Sequence, residues 1–145
     1  MKIAIDTNVI IAGLCAWHEH HEVAAHGLED ALNQQLILPV HALLEAYSVM
    51  TRLPSPHRLS ATDAYALLHG NFNASATLAS LENRHIWPTL QGFAENDTTG
   101  GRCYDALIAL CARKAKATKL LTLNARHFTD FSSRHFEIVD LQASV

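Results

Sequence analysis

Residues 2–14 read KIAIDTNVIIAGL, and the change of pattern within this stretch indicates the fold class. Residues 2–5 form a short apolar run of the kind found in buried strands, and the run ends at Asp6. Thr7 or Asn8 can then cap a helix, in which the remaining apolar residues follow at helical spacing. A buried strand that leads directly into a helix is the first half of a βαβ unit.

The same alternation continues along the chain. Strands are predicted at 36–38, 77–81, 119–123 and 136–139, and helices at 18–32, 40–53, from Ser60 onward, 86–95 and 102–117. Ser60 resembles a helix N-cap because Asp63 follows three positions later. Strands that alternate with helices, without tight hairpin signals, indicate a parallel sheet covered on both faces. We therefore predict an α/β fold, with one domain over residues 1–145 and a central, mostly parallel sheet of four to five strands flanked by helices.

Composition excludes several classes of protein. Hydrophobic residues make up 49% and charged residues 17% of the 145, which is typical of a compact domain and too apolar for a disordered chain. The three cysteines form no CxxC pair, so neither a disulfide framework nor a cysteine zinc site is indicated. The apolar start is interrupted by Asp6 and Asn8, and no run approaches the roughly 20 apolar residues of a membrane span. We expect a cytoplasmic protein that does not enter a membrane.

The charge of the chain is unevenly distributed. The net charge is −3, but residues 102–126 contain six basic residues and one acid, which gives this segment +5. An acidic body with one basic segment suits a local contact with a polyanion. Basic residues at 113–119 could equally be the solvated end of a helix, where the helix dipole favours positive charge. Charge alone does not decide between these interpretations.

Two polar residues close predicted strands. In an open parallel sheet the functional crevice lies beyond the carboxyl ends of the strands. Asp6 closes the first strand and Asn124 follows the strand at 119–123, so both would project into one crevice if these strands are neighbours. Each residue could also be a simple cap or turn residue, as Asp and Asn often are.

Two further carboxylates lie within apolar segments. Glu45 lies among apolar residues of a predicted helix, where a carboxylate is costly without compensation; a solvent-facing stripe with Ser48 and Arg52 is the competing interpretation. Asp105 is the only charged residue in the ten-residue run 103–112. A helix that is hydrophobic nearly all round is buried, and a buried carboxylate must be paired or metal-bound. Its place in the first helical turn offers a milder explanation through the helix dipole.

Carboxylates that converge from separate elements form an oxygen-rich site. Such a site suits Mg²⁺ or Mn²⁺, which prefer Asp and Glu oxygens. These ions activate water and neutralise charge that develops on a phosphoryl group. Hydrolysis of phosphodiester bonds is the chemistry expected of Asp6, Glu45 and Asp105 if the three meet.

Three stretches of the chain resemble a known family. They read IAIDTNVIIAGL from residue 3, PVHALLEAYSVM from residue 39, and GGRCYDALIALCARKAKATKLLTLNARHF from residue 100. Together with the closing strand they are similar to PIN-domain ribonucleases, and more closely to toxins of the VapC type. The resemblance covers the chain in order from residue 3 to about residue 139. It implies hydrolytic cleavage of RNA with Mg²⁺ or Mn²⁺, a homodimer, and a protein antitoxin that blocks the crevice.

The resemblance also assigns roles to individual residues. It makes Asp6, Glu45 and Asp105 the first three acidic positions, which hold the metal ion. The fourth acidic position falls on Asn124, a departure that weakens or removes a second metal site because an amide carries no charge. Asn8 matches the small polar residue that supports the first aspartate.

The resemblance leaves the roles of two further crevice residues open. Arg102 could reach a substrate phosphate, or it could pair with Asp105 or a neighbouring acid. Thr122 belongs to the same segment as Asn124, and Thr122 and Asn8 are the other candidates for substrate binding.

Other features carry weaker hypotheses. His18, His20, His21 and His26 cluster on one predicted helix, where adventitious Zn²⁺ or Ni²⁺ binding is conceivable and a solvated or partner-facing helix is the alternative. The aromatic residues Trp17, Phe72, Trp87 and Phe93 are expected in the core or at an interface, and no aromatic ladder suggests base stacking. A structural role is expected for His127.

Two other functions remain open from the sequence. The first is a catalytically weak PIN-like module that acts by binding a protein partner, with Asn124 as a sign of lost activity. The second is an aspartyl-phosphate phosphatase with Asp6 as nucleophile. It is disfavoured because Asn8 stands where that chemistry needs a second aspartate.

Overall fold

The computed structural model describes residues 1–144, and strands and helices alternate along most of them. The strands are β1 (Lys2–Ile5), β2 (Gln35–Pro39), β3 (Ala76–Ala79), β4 (Lys119–Thr122) and β5 (Glu137–Asp140). The α-helices are α1 (Thr7–Leu14), α2 (His21–Asn33), α3 (Val40–Met50), α4 (Ala61–Phe72), α5 (Ile86–Glu95) and α6 (Arg102–Lys114). Short 3₁₀ segments cover Asn83–His85, Ala125–His127, Thr129–Phe131 and Leu141–Ser144.

The sheet has five strands in the order β3-β2-β1-β4-β5, and every pairing is parallel. The predicted α/β class is confirmed, and the sheet is wholly rather than mostly parallel. β1 lies in the centre, between β2 and β4, so its end and the end of β4 face the same edge. The register pairs Ile5 with Leu121, which places Asp6, the residue after β1, beside Thr122, the last residue of β4.

The core explains why these segments are strands and helices. The three middle strands are buried on both faces, and the residues of β1 from Ile3 to Ile5 are at most 4% exposed. Strands of this kind need helices on either side of the sheet, which the crossover helices provide. α1 and α2 approach closely at Gly13, where an added Cβ would lie 3.2 Å from a methyl carbon of Leu28. Among residues 1–144 the structure contains no helix long and apolar enough to cross a membrane.

Several predicted boundaries differ from the structure. α2 begins at His21 rather than at residue 18, because residues 15–20 form turns that are closed by hydrogen bonds such as that from His18 N to Cys15 O. α3 ends at Met50, three residues early, because the chain turns there toward the proline-containing loop and Leu59 N donates to the Met50 carbonyl. α6 ends at Lys114 because Lys116 adopts a left-handed conformation with φ of 65°.

The strand boundaries shift by one or two residues. β3 spans residues 76–79 rather than 77–81, β4 ends at Thr122 rather than at residue 123, and β5 spans 137–140 rather than 136–139. The cap at Ser60 is confirmed, since its hydroxyl accepts a 3.1 Å hydrogen bond from Asp63 N. The shift of β4 leaves Leu123 between the end of the strand and Asn124, whereas Asp6 still follows β1 directly.

Candidate active site

Asp6 lies where β1 gives way to α1 and is only 5% exposed. The backbone N–H of Thr7 donates to Asp6 Oδ1 at 2.7 Å, and the Thr122 hydroxyl donates to Oδ2 at 2.8 Å. Asp6 is therefore itself the N-cap of α1, so the prediction that Thr7 or Asn8 takes this role was wrong. Because both carboxylate oxygens accept hydrogen bonds, the orientation of the side chain is fixed.

The pKa of Asp6 reflects its surroundings. Burial raises the pKa to about 6, although the hydrogen bonds from Thr122 and Thr7 oppose that shift. The nearby carboxylates of Asp105 and Glu45 raise the pKa further. Asp105 and Glu45 are thus close enough to Asp6 for their negative charges to disfavour its ionised form.

Glu45 lies on α3 and turns toward the same crevice as Asp6. The Thr7 hydroxyl donates to Glu45 Oε1 at 2.6 Å, and His41 Nε2 lies 3.9 Å from Oε2. Ser48 and Arg52 are exposed, whereas the Glu45 side chain is 38% exposed and anchored to α1. The competing interpretation of Glu45 as part of a solvent-facing stripe is therefore wrong.

Asp105 lies in the first turn of α6 and its side chain is 26% exposed. Burial raises its pKa, and the charge of His127, whose Nδ1 lies 3.6 Å from Asp105 Oδ2, opposes that shift. The expectation of a helix buried nearly all round was wrong, because the neighbouring Tyr104 is 53% exposed. The expected structural role of His127 takes the specific form of a contact with this carboxylate.

One crevice of about 790 Å³ brings the predicted residues together. It lies at the carboxyl ends of β1 and β4, as expected for a parallel sheet. Six of the seven predicted residues line it: Asp6, Asn8, Glu45, Arg102, Asp105 and Asn124. The seventh, Thr122, lies beneath the crevice.

Thr122 is fully buried and cannot touch a substrate, so its predicted substrate-binding role was wrong. Its hydroxyl donates to Asp6 and accepts a 3.0 Å hydrogen bond from Asn124 N. Asn8 ties the same region together, since its Oδ1 accepts a 3.2 Å hydrogen bond from Leu123 N. Both side chains hold the end of β4 against the start of α1.

The basic residues lie at the rim of the crevice. Arg102 Nη2 lies 3.1 Å from Asp130 Oδ2, so the neighbouring acid that it pairs with is Asp130 and not Asp105. Both side chains of this pair are largely exposed, at 64% and 76%. Arg126 is also exposed and lines the crevice beside Asn124. Positive charge therefore surrounds an acidic centre.

The acids do not form a closed coordination shell as they stand. Within residues 1–144, no three His, Cys, Asp or Glu side chains are arranged so that they could hold a metal ion together. In the same range no Lys or Arg forms an ion pair with Asp6, Glu45 or Asp105. Mg²⁺ is commonly bound by one or two carboxylates with several waters, so an acidic crevice of this kind still fits such an ion.

The histidine cluster does not form a metal site in the described part of the chain. His21 Nδ1 lies 2.8 Å from the Ala12 carbonyl, and His18 Nδ1 accepts a 3.1 Å hydrogen bond from His20 N. These ring nitrogens are committed to the backbone around the start of α2. A solvated or partner-facing helix end is the interpretation that remains.

The two tryptophans are not core residues. Trp17 is 43% exposed and Trp87 is 79% exposed, whereas Phe72 is buried. Sequence reasoning missed Trp17 as a residue of the crevice, which it lines together with His18. Its place directly after α1, which itself starts at Asp6, is the signal that could have identified it.

The model of the PIN domain family matches residues 3–132 of the chain. The match covers most of the sequence, including every residue that lines the crevice. The chain therefore belongs to the PIN-domain family.

Relatives and solved structures agree with this assignment. Ribonuclease VapC40 of Mycobacterium tuberculosis is 40% identical over 136 residues, which cover 94% of this chain and 96% of the relative. Ribonuclease VapC27 of the same organism is 38% identical over 134 residues, which cover 86% of this chain and 85% of the relative. The structure of VapBC2 from Rickettsia felis, bound to a DNA fragment from its promoter, matches with a TM-score of 0.66 at 15% identity, and the match covers 96% of this chain and 98% of that chain.

Proposed function

We propose that this chain is a metal-dependent endoribonuclease that hydrolyses phosphodiester bonds of RNA in the crevice around Asp6. The observation that carries the proposal is the convergence of three carboxylates, from β1, α3 and α6, on one crevice at the carboxyl edge of the sheet. Two relatives that are 38–40% identical over nearly the whole chain bear the name ribonuclease. The converging acids and the names of the relatives support the same chemistry.

The cofactor that we propose is Mg²⁺ or Mn²⁺, held by Asp6, Asp105 and Glu45. The charges of Asp105 and Glu45 raise the pKa of Asp6, and the charge of Glu45 raises that of Asp105. In the described residues no Lys or Arg forms an ion pair with any of the three acids, so an added cation would relieve their repulsion. When bound, such an ion supplies an activated water and neutralises charge on the phosphoryl group. Asn124 is an auxiliary whose amide oxygen can hold a water or contribute one weak ligand.

The protein's own groups prepare the site. Thr7 holds two of the acids at once, because its N–H binds Asp6 and its hydroxyl binds Glu45. Glu45 is a metal ligand or a base that positions the attacking water. His127 Nδ1 lies 3.6 Å from Asp105 Oδ2, where a protonated imidazole would attract the carboxylate. This arrangement fixes the acids before the substrate arrives, which is the main requirement for electrostatic catalysis.

The proposed substrate is RNA, whose phosphates would approach the acidic centre between basic side chains. Arg126 and Arg102 stand at the rim, where they can contact phosphates on either side of the scissile bond. Arginine binds phosphate in a bidentate manner, and Arg102 can exchange Asp130 for phosphate because their pair is exposed and therefore weak. Asn8 lines the crevice and is the remaining proposed substrate contact.

The biological role that we propose is that of the toxin in a toxin–antitoxin pair. Residues 1–145 would act as a single cytoplasmic PIN-like domain, form a homodimer, and be blocked by a cognate antitoxin protein. The VapC names of the relatives support this role. A chain expressed alone should arrest growth, and co-expression of its antitoxin should restore it.

A second candidate is a silent module that acts only by binding a protein. Asn124 at the fourth acidic position and the open arrangement of the acids favour it. Calorimetric titration with Mn²⁺ separates the two candidates. A nuclease should lose its heat of binding in Asp105→Asn, whereas a silent module should give none in either form.

Cleavage of RNA by the purified chain tests the proposed function directly. With Mg²⁺ or Mn²⁺ the chain should cut single-stranded RNA, and EDTA or Asp105→Asn should abolish the cleavage. Glu95→Gln is the matched control, because Glu95 is an exposed acid at the end of α5, away from the crevice. Cleavage that survives EDTA or Asp105→Asn would show that the proposed mechanism is wrong.

A further inference from the structure

The crevice has an apolar wall that the proposed chemistry does not use. The acids occupy the edge of the sheet, while Trp17 and three aliphatic side chains, Ile11, Val49 and Leu53, line the side toward the ends of α1 and α3. Metal binding and hydrolysis require oxygen and nitrogen ligands. An apolar wall that is continuous with the acidic centre is therefore suited to a part of the substrate that is not phosphate.

Trp17 is held in place although it is exposed. Its ring stacks on His57 with centroids 4.2 Å apart and planes 19° apart, and His18 lies 5.7 Å away at a tilted angle. His57 comes from the loop after α3, so two separate segments fix the indole. Despite this packing 43% of Trp17 remains exposed. An indole that is oriented in advance loses little conformational entropy when a ligand stacks on it.

The crevice is large enough for more than an ion. A cation with six waters fills on the order of 200 Å³, at about 30 Å³ per water, whereas the crevice measures about 790 Å³. The remaining space extends along the wall that contains Trp17. An RNA strand that places one phosphate at the acids can place a neighbouring nucleotide against Trp17, which lines the same crevice.

We propose that Trp17 is a specificity-determining residue that stacks on an unpaired base of the RNA next to the scissile phosphate. Recognition of RNA commonly uses splayed bases stacked on aromatic side chains. A base is favoured over a protein side chain as the occupant because Trp17 shares one crevice with the acids, where the strand has to lie. The inference rests on the proposed nuclease function and adds to it the residue that selects single-stranded substrate.

Steady-state cleavage of a single-stranded RNA oligonucleotide tests the inference. Trp17→Ala should raise KM by roughly 5- to 150-fold, the range that corresponds to about 1–3 kcal/mol per stacked base, and should leave kcat within about twofold. Trp17→Phe should restore most of the affinity because it keeps an aromatic face. Trp87→Ala is the matched control, since Trp87 is the only other tryptophan and does not line the crevice.

Removing the base from the RNA complements the removal of the indole from the protein, and the two changes together form a double-mutant cycle. An oligonucleotide with an abasic site on either side of the cleaved bond should bind the wild type as weakly as the intact RNA binds Trp17→Ala. If the indole and the base contact each other, the two changes together should weaken RNA binding no more than either change alone. Additive losses would overturn the inference.

Fluorescence provides a readout that is independent of turnover. In the double variant Trp87→Phe and Asp105→Asn, Trp17 is the sole tryptophan and the RNA stays intact. Titration with single-stranded RNA in Mg²⁺ should quench its emission, and fully abasic oligonucleotide should not. Thermal unfolding of each variant shows whether a loss of affinity reflects misfolding.

Failure of the proposed nuclease function and failure of the Trp17 inference would give different results. If Asp105→Asn still cleaves RNA, the proposed function is wrong whatever Trp17 does. If Asp105→Asn is inactive but Trp17→Ala leaves KM unchanged and RNA does not quench Trp17, the nuclease stands and the base subsite is wrong. A Trp17→Ala variant that loses only its binding to a protein partner would likewise overturn the inference.

Discussion

The Thr122 hydroxyl donates a 2.8 Å hydrogen bond to Asp6 Oδ2, and 116 positions of sequence separate the two residues. The contact exists because β1 and β4 are adjacent parallel strands whose ends meet at one edge of the sheet. The Thr122 hydroxyl takes the place that a water molecule would have at the Asp6 carboxylate, which is almost fully buried. The hydrogen bond stabilises the charged form of Asp6 and so opposes the rise in its pKa.

Replacement of Thr122 by valine should therefore raise the pKa of Asp6 further. Valine has the same shape but no donor, and it leaves Asn124 N without its acceptor. We expect a loss of stability of roughly 1–3 kcal/mol and a shift of the acidic limb of the pH–rate profile to higher pH. Thr122→Ser, which keeps the hydroxyl, is the control. A profile that does not move in Thr122→Val would show that this contact does not tune Asp6.

Removal of the charge at Asp6 should stabilise the fold at neutral pH. The folded-state pKa of about 6 lies above the unfolded value of 3.8, so folding favours the protonated acid and the penalty grows as pH rises between these values. About two pKa units correspond to roughly 3 kcal/mol at most, and the amide loses one hydrogen bond. Asp6→Asn should thus unfold at a higher temperature than the wild type at pH 7.5.

The pH dependence checks the sign of this effect. Well below pH 3.8 Asp6 is protonated in both states of the wild type, so the advantage of Asp6→Asn should shrink toward zero as the pH falls. Mg²⁺ should raise the melting temperature of the wild type at pH 7.5 and leave that of the variant unchanged, because only the native wild type binds the ion. An advantage that is the same at pH 4 and pH 7.5 would contradict the assignment of the pKa.

Asn124→Asp should strengthen metal binding. Asn124 is exposed and lines the crevice, so a carboxylate there adds charge to the site at little cost in desolvation. We expect half-maximal cleavage at a Mg²⁺ concentration several-fold lower than in the wild type, with Asn124→Ala as the control for loss of the amide. An unchanged metal requirement would show that residue 124 does not face the ion.

Local patterns in the sequence predicted much of the fold. The strand before Asp6 and the strand before Asn124 are apolar runs with a polar stop, but the sequence left open whether the two strands are neighbours, as the structure shows them to be. Helix boundaries were less predictable. Residues 18–20 were predicted to be helical, but turns between α1 and α2 occupy residues 15–20, and such turns depend on tertiary packing rather than on periodicity.

Side-chain partners could not be predicted in the same way. Thr122 was expected to face the substrate, because its sequence neighbours gave no sign that its hydroxyl points inward to Asp6. Trp17 was expected in the core or at an interface, because a large aromatic residue usually buries its area. Only the fold shows that His57, forty positions away, orients Trp17 at the crevice wall.

The central claim is that Asp6, Glu45 and Asp105 share one divalent cation. A crystal structure soaked in Mn²⁺, with an anomalous difference map, measures this directly. The account predicts one strong peak in the crevice, at about 2.0–2.2 Å from oxygens of Asp6 and Asp105, with Glu45 as a ligand or bound through a water. A peak elsewhere, or an empty crevice with Glu45 or Asp105 turned away from Asp6, would contradict it.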